Sequence, residues 1–274
     1  MRMLFGRLLV LLAALTAATA IRAGETDAPL KIKLTAHEYP PFMSQSLPYG
    51  GLLTRIVREA FKAANVEVEI ESLSSNNRVI TGVMVGLYDG AYGWAHSPER
   101  DRKLHYSKSS IFTFRMVFFH RREMDIPWDS LADLGRYQIG ATLGNHYSEE
   151  FSLLQAQRKL RVQEAASDLN NMRKLLLGRI DLFPMEEEAG QMLLLQSLKP
   201  AEQAQIAFQG RPIALIPTYL VLRRDLPNAA ELLERFDQGY KQISDSGQLA
   251  RILGETRKAL VAAAQQNHNK RKQP

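Results

Sequence analysis

Apolar and polar residues alternate along "LKIKLTAHEYPPF", residues 30–42, and the pattern stops at Pro40-Pro41. A period of two predicts a strand that runs into a loop. In "GGLLTRIVREAFKAANV" the period changes. Leu52, Leu53, Ile56, Val57, Ala60, Phe61 and Ala64 recur at helical spacing, which predicts an amphipathic helix packed on a sheet. "VEVEIE" alternates again. Strand, helix, strand opens an α/β unit and favours a parallel sheet. Farther on, "MVFFH" and "YQIGATLG" read as strands, "DIPWDSLADL" as a loop entering a short helix, and "NHYSEEF" as a helix start. "PIALIPTYLVLRRDLP" gives another extended pair. Residues 228–260 are helical, with a break at Asp245-Ser246-Gly247.

A faint internal echo adds to this. Asn76-Asn77-Arg78 leads through a helix to Gly86-Leu87-Tyr88-Asp89 and the strand "GAYGW". Asn170-Asn171-Met172 leads in the same way to Gly178-Arg179-Ile180-Asp181 and "LFPM". Each unit is a helix, a glycine suited to a left-handed cap, and an aspartate before a buried strand. Two such units predict two lobes of similar α/β build, the second inserted between chain crossings near residues 111–118 and 208–217.

The chain opens "MRMLFGRLLVLLAALTAATAIRAGE", with Arg2 and Arg7 ahead of an apolar run from Leu8 to about Ala20 and small residues after it. That is the layout of a secretory signal peptide, cleaved after Ala20 or Ala23. The run of about 13 residues falls short of the roughly 20 that a membrane span needs. The mature protein is therefore expected in the periplasm. Among the 274 residues there is no cysteine, so neither a lipoprotein anchor nor a disulfide framework is available. The formal charge of +6 sits at the ends. Arg2, Arg7 and Arg22 supply half of it, and Lys270, Arg271 and Lys272 match the other half. A body near neutrality lacks the clustered basic face of a nucleic-acid surface. No nucleophile-base-orienter set, metal-spaced cluster or phosphate loop is present, so no cofactor and no metal are expected.

Several stretches together resemble a known family. They are "AHEYPPFM" and "GGLLTRIVREAF", then "GLYDGAYGWAHSPERDRKLHYS", "SLADLGRYQIGATLGNHYSEEF", "LLLGRIDLFPMEEEAG" and "YKQISDSGQLARIL". Their order and spacing over residues 30–256 resemble the periplasmic solute-binding proteins of ABC transporters, in the group serving polar amino acids, bacterial extracellular solute-binding protein family 3. The resemblance implies an α/β, two-lobe periplasmic binding protein fold of type II. Each lobe would be a mainly parallel sheet flanked by helices, with two hinge crossings and closure on a ligand. Projected on this chain, it implies a signal peptide over 1–23, the first part of lobe 1 over 27–113, lobe 2 over 114–210 and the return to lobe 1 over 211–262. A disordered basic tail is expected over 263–274.

The resemblance also marks ligand-binding positions. Arg100, six residues before Tyr106, matches the arginine that forks onto a ligand carboxylate, a role suited to a planar guanidinium. Asp101, Arg102 and Lys103 would be its solvated flank. Gly144, Asn145 and His146 lie where a strand meets a helix, and helix-start amides there could grip the same carboxylate. Two readings of His146 stand: it reads ligand identity or pH, or the backbone does the binding and the side chain is partly solvated. Tyr39 matches an aromatic that packs on the ligand. Trp94, just before the arginine turn, is either a wall of the site or core. Glu186 falls where relatives pair with an α-amino group, while Glu187 and Glu188 are expected to face solvent at a helix start. Ala36, Gly93 and Ala95 stand where relatives carry an aspartate and hydroxyls, which leaves fewer acceptors for an ammonium group.

The expected function is binding of a small carboxylate-bearing solute, an amino acid or derivative, for delivery by a monomer to an ABC-type permease. Two alternatives accompany it. The first is a secreted dehydratase-like enzyme acting on a cyclic carboxylic acid, with Glu186 as the proton donor. The second is a ligand-sensing module that docks on a separate receptor.

Overall fold

The computed structural model describes residues 29–145 and 147–270. The expected leader, His146 and residues 271–274 lie outside the described residues.

Strand β1 (Leu30–His37) leads to helix α1 (Leu52–Ala63) and strand β2 (Val66–Leu73). Helix α1 buries Leu52, Leu53, Ile56, Val57, Ala60 and Phe61, the stripe that the periodicity required. Its first amides are taken by the preceding loop, with Leu52 N–H on Pro41 O at 3.0 Å and Leu53 N–H on Phe42 O at 2.9 Å. Gly51 makes that approach possible. It holds φ at +96°, and a Cβ there would stand 2.5 Å from Phe42 O.

Next come α2 (Asn76–Met84), β3 (Gly90–Trp94), α3 (Pro98–Lys103), β4 (Leu104–Tyr106) and β5 (Phe112–Arg121). A 3-10 turn at Leu131–Arg136 precedes β6 (Gln138–Thr142), α4 (Glu149–Ala156), β7 (Arg161–Ala165) and α5 (Asp168–Leu176). The chain continues through β8 (Leu182–Glu186), α6 (Glu187–Ser197), α7 (Pro200–Gln203) and β9 (Ile206–Phe208). It finishes with β10 (Ala214–Arg223), α8 (Ala229–Asp245) and α9 (Gln248–Lys270). Ser75, Ser97, Ser148 and Ser167 cap α2, α3, α4 and α5 by accepting a backbone N–H, each cap contributing about 1 kcal/mol.

The strands hydrogen-bond in the order β2-β1-β3-β10-β5-β8-β6-β7, with β4 on β10 and β9 on β5. Pairs β1/β3, β6/β7 and β6/β8 are parallel. Strand β10 divides the order into two halves. Its residues Ala214–Thr218 pair antiparallel with β5, and Tyr219–Arg223 pair with β3 and β4. Strands β5 and β10 thus run side by side where the two crossings were expected.

The internal echo is real in three dimensions. Gly86 and Gly178 close α2 and α5 with φ of +80° and +66°. Asp89 brackets Lys33 of β1, its N–H donating to Lys33 O and its carboxylate accepting Lys33 N–H. Asp181 does the same to Gln138 of β6. In each half the aspartate pins the strand that follows it to its parallel neighbour.

Each half has its own apolar cluster. Val79, Val83, Tyr88, Ala91, Leu104 and Val221 form one. Phe118, Leu134, Ile139, Phe151 and Leu182 anchor the other. Such fully buried side chains contribute about 1.5–3 kcal/mol each. Helix α9 departs from expectation. It stays helical to Lys270, whereas a disordered tail was expected from residue 263. Ala262, Ala263 and Ala264 favour helix, no glycine or proline intervenes before Pro274, and Leu260 and Ala264 are buried. Among the described residues no helix is long and apolar enough to cross a membrane.

Candidate functional site

Parallel α/β sheets present ligand sites beyond the carboxyl ends of their strands. Here those ends carry His37 (β1), Trp94 (β3), Thr142 (β6) and Glu186 (β8).

Arg100 lies in α3, whose start Ser97 fixes by accepting Arg100 N–H. It is half-buried, while Asp101, Arg102 and Lys103 are exposed. The Arg100 Nε–H donates to Ala95 O at 3.1 Å, and the guanidinium lies over the Trp94 ring, 5.3 Å from its centroid, within cation–π range. Gly93 sets this up. Its φ of +80° interrupts strand alternation, so Trp94 packs on the same cluster as Ala91. Trp94 Nε1 is buried and has no hydrogen-bond partner among the described residues. The exposed flank is internally paired, His96 Nδ1 with Asp101 at 2.9 Å and Lys103 with Glu99 at 3.2 Å.

Tyr39 stacks on His37 with ring centroids 5.6 Å apart and meets Phe114 of β5 edge-on at 5.8 Å. Burial pushes its hydroxyl above the usual range, and the facing carboxyls of Glu186 and Asp168 push it the same way. Tyr39 therefore lies within electrostatic range of carboxyls in the other half of the sheet. His37 Nδ1 is also buried without a partner among the described residues, and burial pulls the imidazole down to about 4. It is neutral at physiological pH.

Glu186 ends β8 with 1% of its surface exposed. Its Oε2 accepts Ala189 N–H at 2.8 Å, capping α6. Burial pushes the carboxyl up to about 7, partly offset by the Ala189 amide. Its two neighbours do not face solvent freely as expected. Glu187 pairs with Arg115 of β5. Glu188 receives both Nε–H and Nη2–H of Arg257 on α9, at 3.0 and 2.7 Å. Charged partners from two other elements claim these carboxylates, which outweighs their suitability for the helix dipole alone.

Gly144 and Asn145 form an exposed turn, with Gly144 at φ +81°. Asn145 N–H is spent on Thr142 O at 3.0 Å. The helix start that was expected to cradle a carboxylate lies farther on, at Glu149. Ser148 accepts Phe151 N–H there, and Glu149 and Glu150 fill the first turn. An anion is disfavoured beside two carboxylates, so that expectation narrows to the Gly144-Asn145 turn itself.

Sequence reasoning missed a polar group next to it. Thr142 Oγ1 donates to Asp168 Oδ1 at 2.6 Å and accepts from Asn171 Nδ2 at 3.0 Å. Tyr147 Oη accepts Thr142 N–H at 2.7 Å. Burial raises the Asp168 carboxyl above its ordinary value, with the Thr142 hydrogen bond opposing it. A signal was available. Ser167-Asp168 occupies the helix-start position that Ser75-Asn76 occupies in the echo. Among the described residues no hydrogen bond or ion pair joins Arg100 to Glu186. No three His, Cys, Asp or Glu side chains among the described residues are placed to hold a metal.

A family model for bacterial extracellular solute-binding proteins, family 3, matches residues 32–255. Among curated proteins, none matches the chain. Solved structures match its fold. An ancestral arginine-binding protein bound to arginine is 18% identical, with TM-score 0.62, over 82% of this chain and 97% of that one. The GluR0 ligand-binding core from Nostoc punctiforme in complex with L-glutamate is 15% identical, with TM-score 0.61, over 82% and 98%. A histidine kinase sensor domain with similarity to periplasmic binding proteins is 19% identical, with TM-score 0.63, over 84% and 96%.

Proposed function

Because the chain belongs to the bacterial extracellular solute-binding proteins, family 3, and has their two-lobe fold, we propose that it binds an amino acid or a closely related carboxylate between its lobes. Lobe 1 is residues 27–113 with 211–262, and lobe 2 is 114–210. What supports this reading is that opposite charges sit at the carboxyl ends of strands in the two halves of the sheet, Arg100 after β3 and Glu186 on β8. The Arg100 guanidinium lies on Trp94 at the end of β3. The carboxyls of Glu186 and Asp168 belong to the other half of the sheet and are close enough to Tyr39 to raise its hydroxyl's pKa. A zwitterion complements that arrangement, with its carboxylate on Arg100 and its ammonium on the acidic side. The unpartnered Trp94 Nε1 and His37 Nδ1 are proposed as further hydrogen-bonding groups, and the exposed Gly144-Asn145 turn as part of the rim. Export after cleavage at Ala20 or Ala23 puts the protein in the periplasm, as a monomer that hands its ligand to an ABC-type permease or a sensor receptor.

One observation favours the enzymatic alternative. A carboxyl pushed up to about 7, as Glu186 is, is poised to donate a proton. A titration series of L-arginine, L-glutamate, L-glutamine and cyclic carboxylic acids tests both readings. Heat of binding with an amino acid and no product supports the receptor. Consumption of a cyclic acid that stops in Glu186→Gln supports the enzyme.

A further inference from the structure

Helix α9 contacts both lobes. Its buried residues Ile252, Thr256, Leu260 and Ala264 fall four apart and make one continuous stripe. The first half of that stripe belongs to lobe 1. Arg55 of α1 donates to Thr256 Oγ1 at 3.0 Å and pairs with Glu255 at 2.7 Å. The second half meets lobe 2. Leu260 and Val261 line one small cavity together with Met192 and Leu195 of α6 and Pro41 of the β1–α1 loop. Arg257 forks onto Glu188, two residues past the Glu186 cap.

We propose that α9 is an interlobe strap whose Arg257–Glu188 fork holds α6 against lobe 1 and so sets the balance between open and closed lobes. Arg257 is then a positioning residue for the ligand site. Glu186 caps the start of α6, and Arg257 is the guanidinium that keeps this start beside the Pro41 loop. The fork is partly screened by water, Arg257 being 45% exposed and Glu188 24%. Its role is therefore a bias on an equilibrium and not a lock. Opening the lobes pulls α6 away from α9, breaks both charge-assisted hydrogen bonds and widens the cavity that Leu260 and Met192 line. The proposal rests on the two-lobe fold and not on ligand identity.

The cysteine-free chain makes the test direct. Spin labels on Glu69→Cys and Gln163→Cys, exposed sites on the outer strands β2 and β7, report lobe separation in the ligand-free mature protein. Arg257→Gln should raise the open population about threefold or more, and the exchange R257E/E188R should restore the wild-type distance distribution. A purely structural role would lower the melting temperature without that rescue. An unchanged distribution in Arg257→Gln, or failure of the charge exchange to restore it, overturns the strap. No ligand enters the measurement, so its failure leaves the receptor reading standing, and silence in the ligand series leaves the strap standing.

Discussion

The Arg100 guanidinium is fixed from two sides, by Ala95 O on its Nε–H at 3.1 Å and by the face of Trp94 at 5.3 Å. The backbone just after β3 orients the plane of the fork and the indole supports it. A lysine keeps the charge but lacks the planar fork that presents two parallel donors to a carboxylate. Arg100→Lys should therefore weaken a carboxylate ligand at least tenfold while leaving the melting temperature within a few degrees. Calorimetric titration beside a thermal melt checks this, and equal affinity would show that charge alone is used.

Trp94→Phe separates the ring from its N–H. The phenyl face still supports Arg100, and the buried, unpartnered Nε1 is gone. Removing an unsatisfied buried donor is neutral or stabilising. The ligand-free variant should melt at or above the wild type, whereas its ligand affinity should fall by a factor of roughly 3–10. A drop in ligand-free stability with unchanged affinity would make Trp94 ordinary core.

Glu186 gives a pH signature. Its carboxyl is raised from the ordinary 4.5 to about 7 in the folded protein. Between those values the folded state holds more protons than the unfolded state, so stability falls as pH rises from about 4.5 to 7 and levels off above. The full effect is about 3 kcal/mol at most. Glu186→Gln keeps an acceptor for Ala189 N–H and abolishes the titration. Relative to wild type it should gain stability between pH 4.5 and pH 8. Parallel wild-type and variant curves would show that the carboxyl titrates normally.

Gly239 on α8 faces α1 so closely that a Cβ would stand 1.9 Å from Ala60 O. Phe61 and Phe236 close the same contact, 5.1 Å apart. Gly239→Ala should cost about 1–3 kcal/mol by forcing the helices apart. Denaturant unfolding measures this, and a midpoint equal to wild type would mean that the helices shift freely.

How far the fold and site could be read from sequence follows from the range of the interactions. Helix α1 and the alternating β1 and β2 were legible because burial on one face imposes a local period. The echo was legible because Asp89 and Asp181 perform the same local task beside a strand end. The three glutamates were not separable. What distinguishes Glu187 and Glu188 is Arg115 and Arg257, 72 and 69 positions away, and no local pattern carries that. Asp168 and Thr142 meet across 26 positions. Lys270, Arg271 and Lys272 suggested a tail from residue 263, but the preceding alanines and the buried face of α9 carry the helix to Lys270.

The central claim is tested most directly by calorimetric titration of the mature protein and of Arg100→Ala with L-arginine, L-glutamate and L-glutamine. At a hundred times the dissociation constant, a bound ligand also adds about 2.7 kcal/mol of stability, so a thermal melt provides an independent check. The account predicts saturable binding of an amino acid by the wild type, lost in an Arg100→Ala variant that still melts cooperatively. Retained affinity in Arg100→Ala, or no binding of any amino acid by a folded wild type, would contradict it.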